Sequence, residues 1–469
     1  MKWKSWIELG TVVALLTLVC GCAVAPSRID ASRPVVANVA TRSVDQKDSN
    51  IQQASALEPP VAKMVALVGS LESAPFPNSE LTADELVRVV LERNPTIEQM
   101  TAIARMAASK YPQVTSLDDP TLGVQTAPFS AGSPNVNFAA RVELTQKIPL
   151  YGKRTLRGQV ALAEASAATK DIGDARLQLA EAARTALADY YLAEKALGVA
   201  AYSHNLLREF RQNAETQYKN GLAPQQDILQ ADVETARLEE RVLTFTRAKR
   251  VARARINTLC HLPIDGPLPP PADLRMSTPL EPPAELRERA LKSRPDLKAL
   301  SDRLAADATA LCLAQREYKP DVELLTAYDG FWQGNGGRPL QWQVGARVNL
   351  PIRLGRRDGA VAEAQAKVAV RRAELARLND QVGLQVQEAY EQCHESMQIV
   401  KLFETKTLPA ADANVTEAQT AYVNGKVPFL SLVEAQRNLL AIRERYLETR
   451  AELFRRRATL DRVVGDAAR

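Results

Sequence analysis

Apolar positions along this chain follow two periods. Counting back from Tyr218, the positions Ala214, Arg211, Leu207, His204, Ala200, Leu197, Ala193, Tyr190, Ala186, Ala183 and Leu179 step alternately by four and three residues. From Phe403 back, Val400, Ser396, Cys393, Ala389, Val386 and Val382 do the same. This is the spacing of a coiled-coil seam, and its wealth of alanine predicts closely packed helices. With no proline between Gly152 and Tyr218, the first helix is on the order of 100 Å long at 1.5 Å per residue, so the sequence predicts an elongated object. Each helix runs into a matching turn, YKNGLAPQQDILQA at 218–231 and YVNGKVPFLSLVEA at 422–435. Tyr218, Asn220, Gly221 and Pro224 recur as Tyr422, Asn424, Gly425 and Pro428. Asn-Gly supplies residues that tolerate positive φ, and the proline sits where an outgoing helix can lack an N–H, so each copy reads as the tip of a helical hairpin.

The second period is two. In 137–146, Phe138, Ala140, Val142 and Leu144 alternate with Asn137, Ala139, Arg141, Glu143 and Thr145. In 340–350, Leu340, Trp342, Val344, Ala346, Val348 and Leu350 alternate with Gln341, Gln343, Gly345, Arg347 and Asn349. These are strands apolar on one face and long enough to cross a bilayer when tilted. Their expected partners, 121–126 and 321–328, are joined to them by loops at 127–136 and 329–339. Four strands leave unpaired edges, which are prohibitive in lipid, so several chains must contribute to any closed barrel.

The duplication reaches further. ELVRVVLERNPTI and ELRERALKSRPDL align Glu85 with Glu285, Leu86 with Leu286, Leu91 with Leu291 and Pro95 with Pro295. Thr82 before Glu85 has the spacing of a capping box. Two repeats result, 81–262 with strands about 120–148 and 284–465 with strands about 321–352. A proline-rich linker, 263–283, joins them, and residues 466–469 are a tail. After each strand pair the chain leaves through IPLYGKR and LPIRLGRR, whose basic pair fits either lipid headgroups or a helix start.

Composition narrows the class. Of 469 residues, 46% are hydrophobic and only 5% aromatic, a balance that favours helical rods. The net charge is +5, and the basic run Arg455 to Arg457 alternates with Glu444, Glu448, Glu452 and Asp461, as on a solvated helix face rather than a nucleic-acid interface. Residues 1–21, with Lys2, Lys4 and the apolar run 12–19, have the layout of a signal peptide. Gly21-Cys22 resembles a bacterial lipobox, which makes Cys22 the lipidation site and 22–80 a lipid-anchored arm; Ala23 in place of aspartate favours the outer membrane. Cys260-His261 and Cys393-His394, with Met397 a turn on, have ligand types suited to soft cations, but the expectation is buried helix cysteines and no metal. No nucleophile motif or phosphate-binding loop is present, so neither an enzyme nor a cofactor is expected.

Together these residues resemble the outer membrane efflux protein family typified by TolC. Asp118-Asp119-Pro120, the Gln146-x-Ile148-Pro149-x-x-Gly152-Lys153-Arg154 segment and the lipobox are most similar to its cation-efflux lipoproteins. The resemblance implies a mainly α protein with a small β part, a homotrimer whose long hairpins form a periplasmic α-barrel continuous with a twelve-stranded outer-membrane β-barrel, four strands per chain. It also implies a periplasmic adaptor (membrane fusion protein), a resistance-nodulation-division inner-membrane pump and a passive role as exit duct, for heavy-metal cations or for drugs and other organic solutes. The tip turns then lie at the periplasmic end. The family's acidic entrance positions on the returning helices are Asp227 and Gln230 in the first repeat and Ser431 and Glu434 in the second, so only half are acidic; Asp227, Ser431 and Glu434 are the gate candidates. The competing class is a lipid-anchored periplasmic coiled-coil scaffold with soluble hairpins in place of the strands.

Overall fold

In the computed structural model, residues 76, 79–127, 138–274, 279–332 and 341–466 are described, all within the unit Ser73–Arg469. The signal peptide, Cys22, almost all of the arm, the tips of both strand loops and residues 467–469 lie outside them. Thr82 caps α1 (Ala83–Arg93) by accepting from the Glu85 N–H at 3.4 Å. Asn94 caps α2 (Pro95–Ala108), whose first residue is the proline that ends α1. A third short helix, α3 (Lys110–Thr115), leads to β1 (Thr121–Ala127) and β2 (Phe138–Ile148). Then come α4 (Lys153–Lys219), α5 (Gln225–Leu259), α6 (Pro283–Ser293) and α7 (Pro295–Arg316). The second repeat continues with β3 (Val322–Trp332), β4 (Gln341–Val348), α8 (Leu354–Leu402), a π turn (Phe403–Thr407), α9 (Leu408–Val423) and α10 (Phe429–Val464).

Three apolar clusters hold the helices. Leu86, Val90, Ala183, Ala186, Ile256 and Cys260 belong to the first, on α1, α4 and α5. Their counterparts Leu286, Ala290, Val386, Ala389, Leu460 and Val464 belong to another, on α6, α8 and α10. The duplication seen in the sequence is thus a duplication of cores. The remaining cluster joins both hairpins near their turns through Leu207, Phe210 and Ala214 of α4, Ala231 and Leu238 of α5, Val415 and Tyr422 of α9, and Leu432 and Leu439 of α10. The predicted seams are buried at Ala183, Ala186, Tyr190, Ala193, Ala200 and Ala214, and at every position from Val382 to Val400. A second buried stripe on α4, including Leu187, Tyr191 and Phe210, was not read from the spacing, because α4 packs on both α5 and α10.

The second long helix is not regular. Seam positions in the two repeats differ by 203 (Val400 minus Leu197), whereas the turns differ by 204 (Tyr422 minus Tyr218). Beyond the π turn, Ala411 matches Leu207 at 204, and both are buried. The second helix therefore carries one extra residue, and the π turn absorbs it, as such single-turn bulges do. Pro409 follows directly, where the underwound turn relieves the clash its ring makes with a preceding carbonyl. The strands also depart from expectation. β3 continues through Asp329 and Gly330 to Trp332, because Phe138 to Arg141 of β2 extend far enough to pair with it. β2 likewise runs on to Ile148 and stops only at Pro149.

Candidate functional site

All four strands form one antiparallel sheet in the order β1-β2-β3-β4. Register sorts their side chains. Pairs Val142–Tyr328, Tyr328–Trp342, Thr326–Val344 and Leu324–Ala346 place one set on one face; Arg141–Asp329, Lys147–Glu323 and Glu323–Arg347 place the charged set on the other. On the first face Leu122, Val124, Leu324, Trp342 and Val348 are exposed, and Val344 is 87% exposed. A contiguous band of uncovered aliphatic and aromatic side chains of this kind needs an apolar neighbour. On the second face charges neutralise one another: Arg347 reaches Glu143 at 3.0 Å, Arg141 reaches Glu143 at 3.2 Å, and the Gln343 amide donates to Asp329 at 2.8 Å. β1 and β4 are each paired on one side only among the described residues. No helix among those residues is long and apolar enough to cross a membrane.

Where strands become helices, the basic residues of the exits are used as helix-start anchors, one of the two roles the sequence left open. Arg154 Nε donates to the Thr115 carbonyl at 2.9 Å, and Arg357 Nε to the Glu317 carbonyl at 2.8 Å, each closing the end of the preceding helix. Lys153 is buried. Its ammonium lies 3.0 Å from Asp321 and 3.4 Å from Glu317 and donates to the Lys319 carbonyl at 2.8 Å. Asp321 also accepts from the Leu150 N–H, and its own N–H donates to Asn349. A buried ion pair with its remaining valences filled is strongly destabilised by removal of one partner, so this junction fixes the first repeat to the second beneath the sheet.

At the far end the two turns share one geometry. Gly221 and Gly425 have φ of 74° and 67°, and the N–H groups of Leu222 and Lys426 bond back to the Gln217 and Ala421 carbonyls at 2.8 and 2.9 Å. This six-to-one closure is a Schellman end. Two details correct the sequence reading. Asn220 and Asn424 keep negative φ, −84° in both, so only the glycines need the left-handed region. Pro224 and Pro428 are extended caps preceding the outgoing helix rather than its first residues.

The tips lie against each other. The Tyr422 hydroxyl donates to Asp227 at 3.3 Å. Partial burial raises the Asp227 carboxyl above its ordinary value, against the opposing hydrogen bond, and burial beside that carboxylate pushes the Tyr422 phenol up to about 12. Tyr218, the same motif residue in the first repeat, is 45% exposed where Tyr422 is 7% exposed. Ser431 is half-buried and its N–H bonds to Pro428; Glu434 is exposed. The gate candidates are therefore not gathered into one acidic cluster: Asp227 is engaged by Tyr422, and Glu434 is exposed to solvent. A contact missed from sequence is Glu234, buried and held by Arg437, whose Nε, at 2.9 Å, and Nη2 each donate to one carboxylate oxygen. That pairing draws the Glu234 carboxyl below its usual range. Its signal was available, since Glu234 falls between Ala231 and Leu238 at three-four spacing, a charge in an apolar seam. Cys260 and Cys393 are buried, burial pushing the Cys260 thiol up to about 12. His394 stacks on Tyr390, and no metal-holding cluster exists among the described residues.

Residues 286–466 match the family model described as outer membrane efflux protein. The match falls on the second repeat and covers less than half of the chain. No curated protein matches the chain, but solved channels share its fold beyond the matched segment. OprN, an outer-membrane channel, superposes with a TM-score of 0.71 at 20% identity over 82% of this chain and 90% of its own. VceC, an outer membrane protein of Vibrio cholerae, gives 0.70 at 18% over 82% and 96%. CusC, whose structures concern folding and transmembrane channel formation, gives 0.68 at 14% over 84% and 95%. Both repeats thus have the fold of these proteins.

Proposed function

We propose that this protein is the outer-membrane exit duct of a tripartite efflux system, a homotrimer anchored by lipid at Cys22 and conducting solute passively from a resistance-nodulation-division pump and its periplasmic adaptor. The observation that carries this reading is the sheet, exposed and apolar on one face, charged on the other and, among the described residues, open at both edges. Such a sheet is satisfied when three copies close it into twelve strands with the apolar band towards lipid. The long hairpins then extend into the periplasm and end at the paired tips. The cargo in this reading is a heavy-metal cation, supported by the exit and lipobox residues similar to cation-efflux lipoproteins and by the exposed Glu434. Reconstitution of the purified protein in a planar bilayer should give conducting trimers. A deletion strain should lose tolerance to copper, silver, zinc, cobalt or cadmium; loss of drug tolerance alone would make the cargo organic. A chain without conductance that fractionates with soluble coiled coils would favour the scaffold.

A further inference from the structure

Inside the chain, the second repeat docks on the first through α7 against α4. Lys170 and Ser166 of α4 both bind Asp302 of α7, and Asp171 pairs with Arg303. Beside them Ala167 and Ala306 are 1% and 4% exposed. The helices form a row, α2 on α4, α4 on α7 and α7 on α8. Its ends, α2 and α8, are the counterparts of α7 and α4. Subtracting 200 from α7 positions, the offset between Pro295 and Pro95, and adding 203 to α4 positions, the offset between Arg154 and Arg357, maps the inner interface onto these ends.

The mapped positions change character together. Asp302 becomes Ala102, Arg303 becomes Ile103, Ser166 becomes Ala369 and Lys170 becomes Ala373. The buried Ala306 and Ala167 become Met106 and Val370, which are 63% and 60% exposed. No residue of α2 is buried. Asp171 alone maps to a charge, Glu374, and that carboxylate is turned to Arg371 of its own helix at 2.9 Å. The ion-paired inner seam thus has an apolar double, split between two ends of one row and uncovered at both.

We infer that these halves meet: the α2 face of one copy, Ala102, Ile103 and Met106, seats on Ala369, Val370 and Ala373 of α8 in the next. The sheet gives the same neighbour independently, since among the described residues its free edges are β1 of the first repeat and β4 of the second, and pairing them sets the second repeat of one copy beside the first of another. Apolar residues at both ends give area that pays only in this register, while the charges of the inner seam would be left unpaired there. The inference rests on the trimeric duct reading.

Transplanting the inner ion pair tests it. Ala102→Asp and Ala373→Lys, made singly, place an unpaired charge in the seam and should each abolish the heat-resistant trimer band of detergent extracts. The double variant copies Asp302 and Lys170 and should restore it. With Cys312 replaced by serine, Met106→Cys with Val370→Cys should give an oxidised ladder ending at three chains. Trimers unaffected by both single variants, a double variant no better than the singles, or a cross-link confined to one chain would overturn the seam while leaving the duct standing. A wild-type chain that is monomeric in membrane extracts would remove both.

Discussion

His261 and Gly465 stand 204 residues apart at the ends of α5 and α10, and both are left-handed, with φ of 54° and 84°. A side chain in that region is strained by roughly 1–2 kcal/mol. His261→Gly should therefore stabilise the last turn of α5 by about 1 kcal/mol, read as slower hydrogen exchange there. Gly465→Ala should do the reverse and more, because a Cβ would sit 2.8 Å from Ser293 Oγ and 3.2 Å from the Arg294 nitrogen. Asp227 makes a pH prediction. Its carboxyl is raised in the packed tip by burial, so packing takes up a proton there. The stability this contributes is fully present below the ordinary carboxylate value of 3.8 and is lost as pH rises through the raised one. Acidification across that window should favour the packed tip and lower bilayer conductance, and Asp227→Asn should remove the dependence.

At the scale of elements, β4 offers the sharpest contrast. Val344→Arg puts a charge on the exposed apolar face and should destabilise the assembled barrel by about 2–4 kcal/mol near a bilayer midplane. Gln343→Arg, one residue away on the charged face, should have little effect; equal losses in refolding titrations would contradict a membrane strand. These strands were legible because period two is local, and the turns because glycine and proline chemistry is local. What was not legible depended on neighbours. The continuation of β3 through Asp329 and Gly330 is set by β2, and the different fates of Tyr218 and Tyr422 arise from one motif in two surroundings. The pairing of Glu234 with Arg437 joins positions 203 apart, which no spacing rule connects.

For the whole molecule, the duct reading makes the exposed Glu434 a charge near the tips that can meet a passing ion. Glu434→Ala should lower the cation selectivity of the trimer in a planar bilayer, and unchanged selectivity would leave Asp227 as the acidic candidate. The π turn gives the two hairpins unequal slack. An inserted residue between Ala200 and Leu207 has no underwound turn to enter and rotates the remainder of α4 by about 100°, carrying Phe210 and Ala214 out of the shared core. In the second hairpin the surplus already exists, so deleting Lys406 together with Pro409→Ala should return a plain α-helix with Ala411 and Val415 still facing inward. Cysteine probes at 214 and 411 would read the difference as lost or retained protection from maleimide. Two hairpins alike in sequence should thus differ in which one-residue insertions and deletions they survive.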